Sequence, residues 1–151
     1  MTTVSNRVAV LHGVNFDVLE RRDASIYGGI SLAQLEAKIS DWAHELRLEP
    51  IFFQTNAEGE FCEYLHRSAD LADAAIVNAG AWTHYSRAIA DALELTGLPA
   101  VEVHLSAVEA RDDWRRLSVF DGLVLAKVSG KGPDGYREAL ELLARELGTG
   151  A

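Results

Sequence analysis

The stretch Val101-Glu102-Val103-His104-Leu105-Ser106 is a short apolar run that ends in a carboxylate, an imidazole and a hydroxyl instead of a turn. In a strand, side chains alternate between faces, so Glu102, His104 and Ser106 fall on one side and Val101, Val103 and Leu105 on the other. Burying an ionisable group is costly unless it is paired. Glu102 and His104 therefore form either a self-satisfying pair or an acid–base dyad at the end of a buried element.

Working outward, four more runs resemble this one: Arg7 to Leu11, Pro50 to Gln54, Ala74 to Val77 and Leu123 to Val128. With Ala100 to His104 they make five strands, and their nearly continuous hydrophobicity belongs to strands covered on both faces. Between them the apolar period becomes helical. Leu32, Leu35, Ile39, Trp42 and Leu46 form one stripe, opened by a Ser31/Gln34 capping box. Phe61, Tyr64, Leu65 and Ala69 form a second, and Thr83 is the expected cap of a third helix carrying Ile89 and Leu93. Ser106 and Glu109 predict a capping box for a fourth, short helix, and Pro133 opens the last, with Tyr136, Leu140, Leu143 and Leu147 inward and Gly148 as its stop.

Strict alternation of strand and helix requires crossover connections and hence a parallel sheet. Five such units in 151 residues predict a single domain, residues 1–151, of the α/β class: a flavodoxin-like three-layer sandwich with strand order 2-1-3-4-5. An eight-unit barrel needs about 250 residues and is excluded. Hydrophobic residues make up 48% of the chain, enough for a sizeable core, and the net charge of −9 disfavours nucleic acid and anionic membranes as partners. Cys62 is the single cysteine, no apolar stretch approaches the roughly 20 residues of a membrane span, and no leader-like segment opens the chain. The expected location is cytoplasmic.

In an open parallel sheet the ligand crevice lies beyond the carboxyl ends of the strands. Strand one is followed by His12-Gly13-Val14-Asn15, strand three by Asn78-Ala79-Gly80-Ala81-Trp82-Thr83-His84, and strand four by the Glu102, His104 and Ser106 set. The connection from Phe16 to Ile30 is long and carries Arg21, Arg22 and Tyr27, a pattern suited to a lid. Positive charge beside a phenol favours the phenolate, which can take up a proton. Free N–H groups at Leu105, Ser106 and Ala107, at the start of the fourth helix, are expected to bind a carboxylate, with Arg111 and Arg115 one and two turns further along one face. His44 and His66 fall on polar helix faces, and no spacing of His, Cys and carboxylates proposes a metal site.

Taken in order, Gly13-x-Asn15, Arg22 with Tyr27-Gly28, Gln54-Thr55-Asn56, Glu58-Gly59-Glu60, Asn78-Ala79-Gly80 with Thr83-His84, Glu102 to Ser106, Ala110-Arg111, Arg115 and Gly135-Tyr136 resemble the type II 3-dehydroquinate dehydratases over nearly the whole chain. The resemblance implies a lyase that converts 3-dehydroquinate to 3-dehydroshikimate without cofactor or metal, in shikimate or quinate metabolism. It implies Tyr27 as base, Arg22 as the lid arginine beside it and Asn15 as the group that holds a water against the enolate. His104 would be the acid, with Glu102 as its partner. Asn78, His84, Ser106, the Leu105 backbone and Arg115 would contact substrate, and Arg111 would lie near the base. Asp91 would reach a neighbour's site in trimers that assemble into dodecamers.

The chain departs from the family's pattern at several points. His12-Gly13-Val14-Asn15 stands where the family usually reads Asn-Gly-Pro-Asn, Glu20 replaces a lid glycine, and Ala57, Ala107, Glu109 and Val119-Phe120-Asp121-Gly122 also differ. These changes leave a second reading open, a diverged paralogue that binds a related cyclic hydroxy acid without turning it over. A receiver or flavin carrier is a third, argued from fold alone.

Overall fold

The computed structural model describes residues 5–149. Five parallel strands, β1 (Arg7–His12), β2 (Glu49–Gln54), β3 (Ala74–Asn78), β4 (Ala100–His104) and β5 (Ala126–Ser129), form one sheet in the order β2-β1-β3-β4-β5. This is the doubly wound topology expected from the alternation. Pro50 is tolerated because β2 is an edge strand, with no neighbour on one side to require its missing N–H.

Each face of the sheet carries its own core. Val8, Val10, Ile76, Val101 and Val103 pack under α2 (Leu32–Glu45) and α5 (Asp134–Leu147), which contribute Leu35, Ile39, Leu140 and Leu143. Ala9, Leu11, Ala75 and Val77 pack under α3 (Glu58–Leu71) and α4 (Arg87–Thr96), which contribute Phe61, Leu65, Ile89 and Leu93. The Ser31/Gln34 capping box closes in both directions, and Gly148 ends α5 in the left-handed conformation.

Four expectations change. Thr83 does not cap α4; it lies in a 3₁₀ segment, Gly80–His84, and Ser86 caps instead by accepting from the Ile89 amide. The Thr83 carbonyl is taken by the distant Val119 amide, which holds this segment away from the helix start. The helix expected from Ser106 is absent, replaced by two 3₁₀ turns, Val108–Ala110 and Asp113–Arg116. The carbonyls of Leu105 and Ser106 accept from the Gly132 and Gly130 amides, and the Ser106 carbonyl also takes the Val108 amide in a tight turn, so neither starts an α-helical ladder. β5 starts at Ala126, not Leu123, because Leu123 closes a turn onto the Phe120 carbonyl. In α3 the buried position is Ser68, whose hydroxyl bonds the Tyr64 carbonyl, while Ala69 faces outward.

Two crossovers meet behind the sheet edge. The Gly13 amide donates to the Asn78 carbonyl at 2.9 Å, and a Cβ at position 13 would stand 2.4 Å from the Ala79 carbonyl oxygen. Only glycine permits this approach, which presses the β1 and β3 loops together.

Candidate active site

Above this junction a single cavity opens at the carboxyl ends of β1, β3 and β4. It is lined by Asn15, Arg22, Tyr27, Asn78, His84, His104, Leu105, Ser106, Arg111 and Arg115, with Val14, Phe16, Gly80, Ala81 and Val108 completing the wall. The lid phenol and the strand-end imidazole thus flank one space. Of the expected site residues, Glu102 lies directly behind His104, and Asp91 stands apart, exposed on α4 in a separate groove with Arg87, Leu117 and Val119.

The β4 end is held by charge-assisted bonds. Glu102 is fully buried; its Oε2 lies 2.6 Å from His104 Nε2, and its Oε1 accepts from the Ser118 hydroxyl at 2.8 Å. Both carboxylate oxygens are therefore engaged, which offsets the cost of burying the charge. With Nε2 committed to Glu102, the remaining ring nitrogen of His104, Nδ1, is the one that can serve a ligand. His84 stacks beside it at 6.2 Å and donates Nδ1–H to the Leu117 carbonyl at 2.7 Å. Desolvation lowers the His84 pKa, an effect only partly opposed by that bond.

The lid is more ordered than a loop. A 3₁₀ segment, Phe16–Arg21, leads into a single turn, α1 (Ala24–Tyr27), capped by Asp23 and ended by Gly28 at φ 88°. Tyr27, at the end of this turn, accepts hydrogen bonds from Arg22 Nη2 and, at 2.7 Å, from Arg111 Nη1. The Arg22 guanidinium also lies 4.2 Å from the centre of the Tyr27 ring. Arg111 reaches Ser106 Oγ at 3.4 Å, joining the lid to the β4 end. Asn15 holds its position through a left-handed backbone, φ 72°, with its amide donating to Asn56 Oδ1 at 2.8 Å.

No α-helix starts at Ser106, so no helix dipole stands behind the Leu105, Ser106 and Ala107 amides. Arg111 and Arg115 share the cavity, but from separate turns and not from one helix face. Cavity charge replaces the helix dipole: three guanidinium groups and no carboxylate line the wall. This local balance is opposite to the chain's net charge of −9.

Several contributors were not singled out from the sequence. Ser118 buttresses Glu102, and Trp114 sets its edge against His84 at 5.2 Å while Arg115 stacks over its ring at 4.1 Å. His12, expected in the stretch after strand one, instead ends β1 and is fully buried behind the cavity, against Tyr136. A serine bridging to a carboxylate 16 residues away carries no local signal, whereas an aromatic followed directly by two arginines, Trp114-Arg115-Arg116, is a pattern that could have been noticed.

Residues 6–144 match the family model described as Dehydroquinase class II. The chain belongs to that family. It is 45% identical over 135 residues to the 3-dehydroquinate dehydratase of Syntrophotalea carbinolica, covering 89% of this chain and 91% of the relative. It is 41% identical to that of Pelotomaculum thermopropionicum, covering 95% and 99%. The crystal structure of the type II dehydroquinase from Propionibacterium acnes superposes with a TM-score of 0.89 at 36% identity, covering 95% of this chain and 99% of the other. These relatives give no support to the reading of a binding-only paralogue.

Proposed function

We propose that this chain, acting as one dehydroquinase domain, eliminates water from 3-dehydroquinate to give 3-dehydroshikimate. The observation that carries the reading is the shared cavity, with an arginine-flanked phenol on one wall and a carboxylate-backed imidazole on the other. An elimination alpha to a ketone needs a base, a means to stabilise an enolate and an acid for a poor leaving group. Tyr27, whose oxygen accepts from Arg22 and Arg111, removes the proton alpha to the ketone. Asn15 positions a water against the enolate oxygen. His104 delivers a proton from Nδ1 to the departing hydroxyl, and Glu102 stabilises the imidazolium that supplies it. One proton leaves carbon and one joins hydroxide, so the step balances with no redox change.

Arg115, Ser106 and the Leu105 backbone bind the substrate carboxylate, and Asn78 and His84 bind its hydroxyls. The guanidinium-rich wall supports an anionic substrate in an otherwise acidic protein. Asp91, exposed outside the cavity, completes the site of a neighbouring protomer in trimers that build a dodecamer. The enzyme works in the cytoplasm, in shikimate biosynthesis or quinate breakdown; among the described residues no helix is long and apolar enough to cross a membrane.

The test is the absorbance of the conjugated enone formed from authentic 3-dehydroquinate by the purified chain. Tyr27→Phe is expected to lose at least about 100-fold in kcat. Wild-type turnover in that variant would remove Tyr27 from the role of base.

A further inference from the structure

Behind the cavity, on the α2/α5 side of the sheet, lies a polar chain of which the proposed elimination uses only the end, Asn78. His12, the last residue of β1, is 0% exposed, stacks on Phe16 at 4.8 Å and brings Nε2 to 2.8 Å from the Tyr136 hydroxyl. Tyr136, from the first turn of α5, is also fully buried, and its oxygen lies 3.1 Å from Asn78 Nδ2. Asn78 Oδ1 in turn accepts from the Gly80 amide at 3.4 Å. Of His12, Tyr136 and Asn78, only Asn78 lines the cavity.

Counting hydrogens along this chain fixes every group in it. The Gly80 amide can only donate, so the Asn78 atom facing it is the carbonyl oxygen. That turns the Asn78 nitrogen, which also only donates, toward Tyr136. The phenol oxygen is then an acceptor from Asn78, and its single hydrogen is left for His12 Nε2. A bare Nε2 is the acceptor that hydrogen needs, which puts the ring hydrogen of His12 on Nδ1, an atom without a hydrogen-bond partner among the described residues. Leaving a buried donor unmet is costly, and the arrangement persists because the reverse tautomer would leave the Tyr136 hydrogen unmet as well as Nδ1.

We infer that His12 is a positioning residue: by accepting the Tyr136 hydroxyl hydrogen it keeps that oxygen turned to accept from Asn78 Nδ2, which together with the Gly80 amide holds the Asn78 carboxamide in one orientation at the cavity wall for a substrate hydroxyl. The neutral form is enforced by the setting, since desolvation holds the His12 pKa at about 3. The inference rests on the reading of Asn78 as a substrate contact.

Ring-nitrogen NMR of the protein labelled with ¹⁵N-histidine, with His12 assigned by its loss in His12→Gln, reads the tautomer without any turnover. A neutral ring with hydrogen on Nδ1 is expected; hydrogen on Nε2 would overturn the inference. In kinetics, His12→Leu removes the acceptor for the Tyr136 hydroxyl and should raise KM about tenfold, the size of one well-made hydrogen bond, while kcat stays within about threefold. His12→Gln, whose Oε1 reaches near the place of Nε2, should recover most of that loss. A folded His12→Leu with wild-type KM would also overturn it. Asn78→Ala separates the layers: a raised KM is expected, and an unchanged KM would sink the substrate role of Asn78 and with it the inference, while the elimination assigned to Tyr27 and His104 would stand.

Discussion

His104 and His12 end strands on either side of β3, both are buried, and both touch one oxygen-bearing side chain, yet they face opposite sides of the sheet and meet opposite chemistry. His104 meets the Glu102 carboxylate, itself braced by Ser118, and opens onto the cavity. His12 meets a neutral phenol among apolar neighbours, and burial alone sets its charge. Burial therefore does not decide what a strand-end histidine does. The carboxylate occupies one ring nitrogen of His104 and leaves the other to the cavity; the phenol and apolar neighbours of His12 give it no such opening.

The comparison breaks most visibly at His104. His104→Gln should lower kcat by about 10²–10⁴-fold, the usual worth of a general acid, with a thermal midpoint near wild type. A kcat within threefold of wild type would make His104 as structural as His12. Next comes the brace. Ser118→Ala leaves Glu102 Oε1 without its donor, a loss of about 1.5–3 kcal/mol for a hydrogen bond to a buried charge, and should lower both the melting temperature and kcat, the latter about tenfold. An effect confined to melting would limit Ser118 to scaffolding.

The third effect is a pH slope in stability. His12 is depressed from 6.5 to about 3 by burial, so between those values the unfolded chain binds a proton that the folded chain refuses. Its contribution is complete above pH 6.5 and is lost as pH falls toward 3, at a limiting slope of about 1.4 kcal/mol per pH unit. His84 shifts in the same direction, chiefly by desolvation. Melting curves between pH 7.5 and 4.5 should show the decline, and His12→Leu should flatten it. An equally steep decline in His12→Leu would assign the slope to other groups.

The same contrast explains what could be read from the chain before any coordinates. The strands were legible because burial on both faces leaves nearly unbroken apolar runs, and the Ser31/Gln34 box because its partners lie three residues apart. Glu102 and His104 were legible for the same reason, since i and i+2 in a strand share a face. Ser106 and Thr83 misled because capping depends on which carbonyls remain free, and amides from Gly130, Gly132 and Val119 had already taken theirs. His12 and Tyr136 are 124 residues apart, and Tyr136 sits on a stripe where an aromatic reads as packing alone. Its hydroxyl acquires a partner only when α5 docks on the sheet.

For redesign of this site, the missing side chain at Gly13 matters more than any group present. Because the Ala79 carbonyl fills the place of a Cβ, the stretch after β1 and the stretch after β3 behave as one graftable module. Transplanting either crossover from a relative without the other would mismatch the seam, whereas exchanging residues 12–15 together with 78–84 carries the junction across intact.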